Sequence, residues 1–225
     1  FFWWILEPLI FMAIYYVLVQ VVLHRGGPGY PLFLFCGILP WRWFAVATSQ
    51  SVSGINGAAG IVRQLAFPRA VYPVATVSAH TVYFFFGLLV LFGFMVFYGQ
   101  PLSLALFFLP YVMVVQYLFT LALALVLASL GVFLADLQIT WGLGLRAWFY
   151  LSPILYSLDR VPEPYRFWFT LNPFSILVEA YRSMVLEGEI PNLSELAIMA
   201  LLSLLFTLFA FLFFTWLEPR FAKVL

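Results

Sequence analysis

Long apolar runs separated by short polar corners dominate the chain, and the length of the runs makes the first prediction. From Ala70 to Ala135 no Asp, Glu, Lys or Arg occurs, enough chain for two helices of the roughly 20 residues that cross ~30 Å of hydrocarbon. A membrane barrel would show short segments of alternating polarity, so the spans are helices, whose main-chain polar groups are satisfied internally. The pattern predicts an all-α polytopic membrane protein. It forms one transmembrane domain, residues 1–225, with six spans at about 1–23, 31–60, 74–97, 104–134, 139–156 and 196–217. The corners carry turn residues, as in Gly26-Gly27-Pro28-Gly29 and Tyr98-Gly99-Gln100-Pro101. Six spans put both termini on one side. The chain opens Phe1-Phe2 already inside the first span, so a segment upstream of it is expected.

Within the spans the composition is uneven. Residues 31–60 begin bulky, with Trp41, Arg42 and Trp43, and end small, with Ser49, Ser53 and Gly57 spaced by four. Small residues at that spacing let helix backbones approach closely in lipid, so this face is expected to pack tightly on another helix. Arg42 has two readings: a cation on a polar path flanked by Trp41 and Trp43, or a side chain that snorkels to the interface. Glu7 and Arg146 likewise call for an interface, a protein partner or water. Between the second and third spans, residues 61–73 read as a stiff corner, because Pro68 and Pro73 each fix φ and disfavour helix in the residue before them. Ahead of Pro68, residues 61–66 read as a short helix, with Arg63 toward water and Leu65 and Phe67 as apolar knobs. A rigid mount suits docking, since a flexible loop absorbs a partner's movement; a plain turn is the alternative.

The longest polar stretch, residues 157–194, carries its own helical signals. Pro162-Glu163-Pro164 opens a short helix through Tyr165, Phe167 and Trp168, aromatics of the kind found at headgroup level. Asn172 followed by Pro173 reads as an N-cap with proline at the first helical position, and Gly188 as a stop. The helix between them reaches only ~22 Å and does not cross a bilayer. Leu177, Ala180, Tyr181, Met184 and Val185 fall on one face, and Ser175, Glu179, Arg182 and Ser183 on the other. Glu179 and Arg182, three apart, are expected to pair on that polar face. The two helices, about 163–187, suggest a re-entrant or interfacial hairpin. The alternative is a surface loop bearing one amphipathic helix.

Composition agrees with a lipid-facing chain: 65% hydrophobic and 8% charged residues, with a mean hydropathy of +1.07, exclude a soluble domain. The net charge of +1 by itself says nothing about nucleic acid, but the few basic residues are scattered and form no basic run, so no nucleic-acid partner is expected. Cys36 stands alone and His24 lies far from His80, so neither an intrachain disulfide nor a metal cluster can be composed from them. No glycine-lysine phosphate loop occurs, so energy must come from a partner or a gradient. No nucleophile–base pair marks a membrane transferase, and the spans lack the acidic or histidine relay common in channels and secondary transporters. Arg63, Arg69, Arg220 and Lys223 on one side face Arg25, Arg160, Arg166 and Arg182 on the other, which leaves orientation open.

The segments "FPRAVYP", "SPILYSLDRVPEPYR" and "LNPFSILVEAYRSMVLEG", in this order between these spans, resemble the membrane subunit of type-two ABC exporters. The resemblance is particularly to the polysaccharide exporters for O-antigen, capsule and teichoic acid. The resemblance implies a homodimeric permease in the bacterial cytoplasmic (inner) membrane, with cytoplasmic termini and a cytoplasmic helix before the first span. It implies two separate ATP-binding cassette subunits, which bind ATP and Mg, so the permease itself carries no cofactor and no catalytic residue. Arg63, Gln64, Leu65, Phe67, Pro68 and Arg69 fall where such exporters carry the element that docks on the ATPase. Tyr165, Phe167, Trp168, Asn172, Pro173, Glu179 and Arg182 fall on the gate helices, while Trp41, Arg42 and Trp43 are the candidate path for a lipid-linked polysaccharide. The abundant aromatics offer sugar rings a surface to slide on. An exporter of drugs or small lipids is the nearest alternative, and an ATP-independent channel or secondary transporter a more remote one.

Overall fold

Helices follow the apolar runs. The computed structural model describes residues 6, 9, 10, 13, 14, 16–22, 24, 29–58, 60 and 68–224, and among these no strand occurs. After a π-helical segment, Val17–Val22, come α1 (Tyr30–Gly57), α2 (Val71–Phe97), α3 (Leu109–Gly131, led in by a 3-10 turn, Leu104–Phe108) and α4 (Leu137–Tyr150). Two short helices, α5 (Glu163–Thr170) and α6 (Pro173–Arg182, continued by a π-helical turn, Ser183–Glu187), precede α7 (Leu193–Val224). Among the described residues four helices are long and apolar enough to cross a membrane: α1, α2, α3 with its lead-in, and α7. Nearly half of the predicted first span, Glu7 included, lies outside the described residues.

Two span boundaries differ from the sequence pattern. The predicted span at 139–156 is α4, of 14 residues, ~21 Å long and too short to cross by itself. The chain turns at 151–156 because Pro153 has no N–H for a further rung. At the other end Glu218-Pro219-Arg220 does not stop the last helix. α7 runs on through Pro219 to Val224, with Phe221 fully buried against Phe214 at 5.5 Å and Phe133 at 5.8 Å.

The chain divides into two compact units. The first comprises 1–42, 82–113 and 149–197. In it the N-terminal half of α1 buries Leu32, Leu34, Phe35 and Ile38; a Cβ at Gly87 of α2 would run into Leu39 Cδ1, so glycine lets the two helices meet with the Leu39 side chain left in place. Phe35 meets Phe94 at 5.7 Å, and Phe84 meets Tyr181 of α6 at 5.8 Å.

The second unit comprises 43–81, 114–148 and 198–225. Ile55, Leu125, Val132, Phe214, Leu217 and Phe221 share one core there. The hydroxyls of the small-residue half of α1 bond their own helix, Thr48 to the Phe44 carbonyl at 2.8 Å and Ser51 to the Ala47 carbonyl at 2.7 Å, which is how such residues are tolerated in lipid. The expected tight face at Ser49, Ser53 and Gly57 is not where the backbones meet: Ser53 and Gly57 are exposed, and Ser49 accepts from Gln138 at 3.0 Å. The close approach lies on the neighbouring face, where a Cβ on Gly131 would collide with the Val52 carbonyl oxygen and Asn56 Nδ2 donates to the Gly131 carbonyl at 2.8 Å. His80, buried on α2, hydrogen-bonds Gln50 at 2.9 Å.

Candidate functional site

The hairpin after α4 is built by local signals. Asn172 Oδ1 accepts from the Phe174 N–H at 3.0 Å, capping α6, while its Nδ2 donates to Ser152 Oγ at 2.9 Å and to the Leu151 carbonyl at 3.2 Å. One side chain thus starts a helix and ties it to the turn that ended the previous one. Pro173 takes the first helical position, where its missing N–H leaves no rung broken. Gly188 closes the segment at φ +69, a left-handed conformation that glycine adopts freely, and its carbonyl accepts from Ser103 Oγ at 2.6 Å.

The centre of the hairpin is Arg182. The predicted polar face of α6 is not a solvent face: Arg182 and Ser175 are each 2% exposed. The guanidinium donates from Nη1 to the Pro153 carbonyl at 2.6 Å and from Nη2 to the Ile154 carbonyl at 2.7 Å, with Tyr156 O at 3.4 Å. Its face stacks over the Phe33 ring with 3.6 Å to the centroid. Gly37 provides the room, since a Cβ there would sit 3.1 Å from Ile154 O and 3.3 Å from Arg182 Nη2. Glu179 does pair with Arg182, but at 3.5 Å and half-exposed, so the carbonyls and the ring are the main partners. Burial pushes Arg182 down to about 10, with Glu179 opposing; burial likewise pushes Glu179 up, with Arg182 opposing. A cavity of about 150 Å³ opens beside Glu179, with Ser183, Asn192 and Glu195 in its wall.

The other predicted residues divide. Trp41 is buried edge-on to Phe174 of α6 at 4.9 Å, with Phe149 at 5.6 Å. Trp43 is 3% exposed and Arg42 partly exposed. Tyr165, Phe167 and Trp168 on α5 are exposed. Residues 61–67, which include Arg63, Gln64, Leu65 and Phe67, lie outside the described residues. Pro68 is exposed and Arg69 partly buried. The Arg69 N–H donates to Glu218 Oε1, and its Nη1 to the Glu218 main-chain oxygen, both at 2.7 Å. The pattern of the sequence did not single out Glu218, Phe33 or Gly37. Only Glu218 carried a signal, as an acid beside the end of an uncharged span. Among the described residues no group of three or more His, Cys, Asp or Glu could hold a metal ion.

Membrane-length apolar helices and an ordered helical hairpin between α4 and α7 define a multi-pass helical membrane protein. The chain belongs to the ABC-2 type transporter family, which residues 1–186 match. It is 31% identical over 224 residues to an O-antigen export system permease protein of Klebsiella pneumoniae, covering 99% of this chain and 86% of that one. A protein of the same description from Myxococcus xanthus is 30% identical over 89% of this chain and 78% of its own. A polysialic acid transport protein of Escherichia coli is 25% identical over 84% and 74%.

Proposed function

We propose that the chain is the permease subunit of an ATP-driven exporter that moves a lipid-linked polysaccharide across the bacterial cytoplasmic membrane. The single observation that carries this is the likeness along 99% of the chain to an O-antigen export permease, supported by the relative named for polysialic acid transport. In this reading two copies form the conduit and two ATP-binding cassette subunits drive it from the cytoplasmic side. The chain has no phosphate-binding loop of its own, which fits a passive, gated role. Residues 61–69 dock on the ATPase. The α5–α6 hairpin gates the outer end, with the exposed Tyr165, Phe167 and Trp168 offering aromatic faces to sugar rings or headgroups. Of the stretch Trp41-Arg42-Trp43, the partly exposed Arg42 faces the path, and the buried Trp41 and Trp43 hold it there from behind.

Co-purification with an ATP-binding partner tests the proposal, and export activity from this chain with no ATPase present would overturn it. Within the complex, Phe67→Ala should abolish export while the spans still fold. Phe67 is the cleaner probe of docking, because Arg69 is already engaged by Glu218 and Arg69→Glu would disrupt that intramolecular contact as well. Normal assembly and export in Phe67→Ala would return residues 61–69 to being a turn.

A further inference from the structure

We propose that Glu218 is a positioning residue that delivers displacement of the 61–69 corner to α7. This deepens the coupling assigned to that corner and rests on it. The contact joins positions 149 apart in the chain and pairs two acceptors of one residue, side chain and main chain, with two donors of the other: the Arg69 N–H on Glu218 Oε1, and Arg69 Nη1 on the Glu218 carbonyl, each at 2.7 Å. Two bonds at different atoms fix orientation as well as distance, where a single bond would leave a pivot.

Residues 68–70, the described end of the corner, are tied down by three further contacts. Ala70, the next residue, is 8% exposed and packs in the core that holds Phe214, Leu217 and Phe221. The Arg69 guanidinium carbon lies 6.0 Å from the centre of the Phe221 ring. The carbonyls of Pro68, Arg69 and Ala70 accept from Val71, Tyr72 and Val74 at 3.2, 3.1 and 3.2 Å, so the corner is continuous with the first turn of α2. A push on residues 61–69 therefore reaches the start of α2 through the chain and α7 through Glu218. Pro219 follows directly and has no N–H for the Thr215 carbonyl four residues back, so α7 lacks a rung at the level where Glu218 is held. A missing rung is a natural point of bending.

The link does not need the charge of the carboxylate. Oε1 accepts from a main-chain N–H and the guanidinium takes a main-chain oxygen, so Gln at 218 keeps both bonds, whereas Asp keeps the charge and withdraws the acceptor by one methylene. The test is amide hydrogen exchange on the full-length chain in complex with its ATP-binding subunit, with and without ATP and vanadate. In the unsubstituted complex nucleotide should alter exchange at residues 68–74 and at 214–222. Glu218→Ala and Glu218→Asp should keep the change at 68–74 and weaken the change at 214–222, since the bond to Oε1 is lost while the Arg69 Nη1 bond to the carbonyl of residue 218 and the packing of Ala70 stay; Glu218→Gln should keep both in full. A 214–222 change of undiminished size in Glu218→Ala and Glu218→Asp, or its weakening in Glu218→Gln, overturns the proposal. If nucleotide alters neither segment of the unsubstituted complex, the coupling reading fails and this inference with it. Loss of the 68–74 change in Phe67→Ala, beside an unaffected 214–222 change in Glu218→Ala, would instead leave coupling standing and remove only Glu218.

Discussion

Arg182 is a cation taken from water and resolvated by protein: two carbonyl oxygens within 2.7 Å and an aromatic face at 3.6 Å. Hydrogen bonds from a charged donor to buried carbonyls are worth roughly 1.5–3 kcal/mol each, more than the weak, half-exposed pair with Glu179 contributes. Exchanging the two residues, Glu179→Arg with Arg182→Glu, should therefore fail to rescue. A buried carboxylate would face carbonyl oxygens, and the double variant should be as poorly folded as Arg182→Glu alone, measured by thermal unfolding in detergent. Glu179 gives a pH test. Its folded-state pKa is raised by burial, so the protonated form is favoured in the fold, and stability present below the ordinary carboxylate range is lost as pH rises through the folded value. Glu179→Gln should accordingly be the more stable protein at neutral pH, with the difference vanishing below pH ~4. A difference that grows on acidification would contradict the burial argument.

Among elements, helix ends set by neighbouring residues were readable and those set by distant packing were not. Asn172 caps α6 and Gly188 ends the following turn because both act within a few residues of themselves. The end of α4 was missed, since residues 151–156 stay mostly apolar and only Pro153 signals the break. The end of α7 was missed in the opposite sense, because Glu218-Pro219-Arg220 looks like a stop while Phe221 is held in the core beyond it. The helix contact at Gly131 was invisible to the four-residue spacing at Ser49, Ser53 and Gly57. A single glycine on α3 meets a main-chain carbonyl of α1, and no spacing within one helix marks it. Gly131→Ala should lower stability by about 2–3 kcal/mol, read as a reduced melting temperature in detergent. Gly57→Ala should change it little, since nothing described lies within 4 Å of a Cβ there.

For the molecule as a whole, lipid is the solvent that makes the exposed surface tolerable. α7 presents Leu201, Leu205, Leu208 and Leu212 outward, each more than half exposed, a stripe that water would penalise. Leu208→Asp near mid-helix should raise the insertion free energy by about 3 kcal/mol and deplete the chain from the membrane fraction. Leu208→Phe should leave it there; equal recovery of the two would argue that this face meets protein or water. The membrane class, the helical architecture and the caps of α6 could be derived from the chain alone, because hydrophobic run length and capping are properties of adjacent residues. Which polar groups meet could not be derived in that way. Arg182 finds carbonyls at 153 and 154 and a ring at position 33, and Arg69 finds Glu218, because folding sets those segments side by side. A buried donor can donate to any suitably placed carbonyl whatever side chain carries it, so the partner leaves no mark in the pattern and is settled by packing.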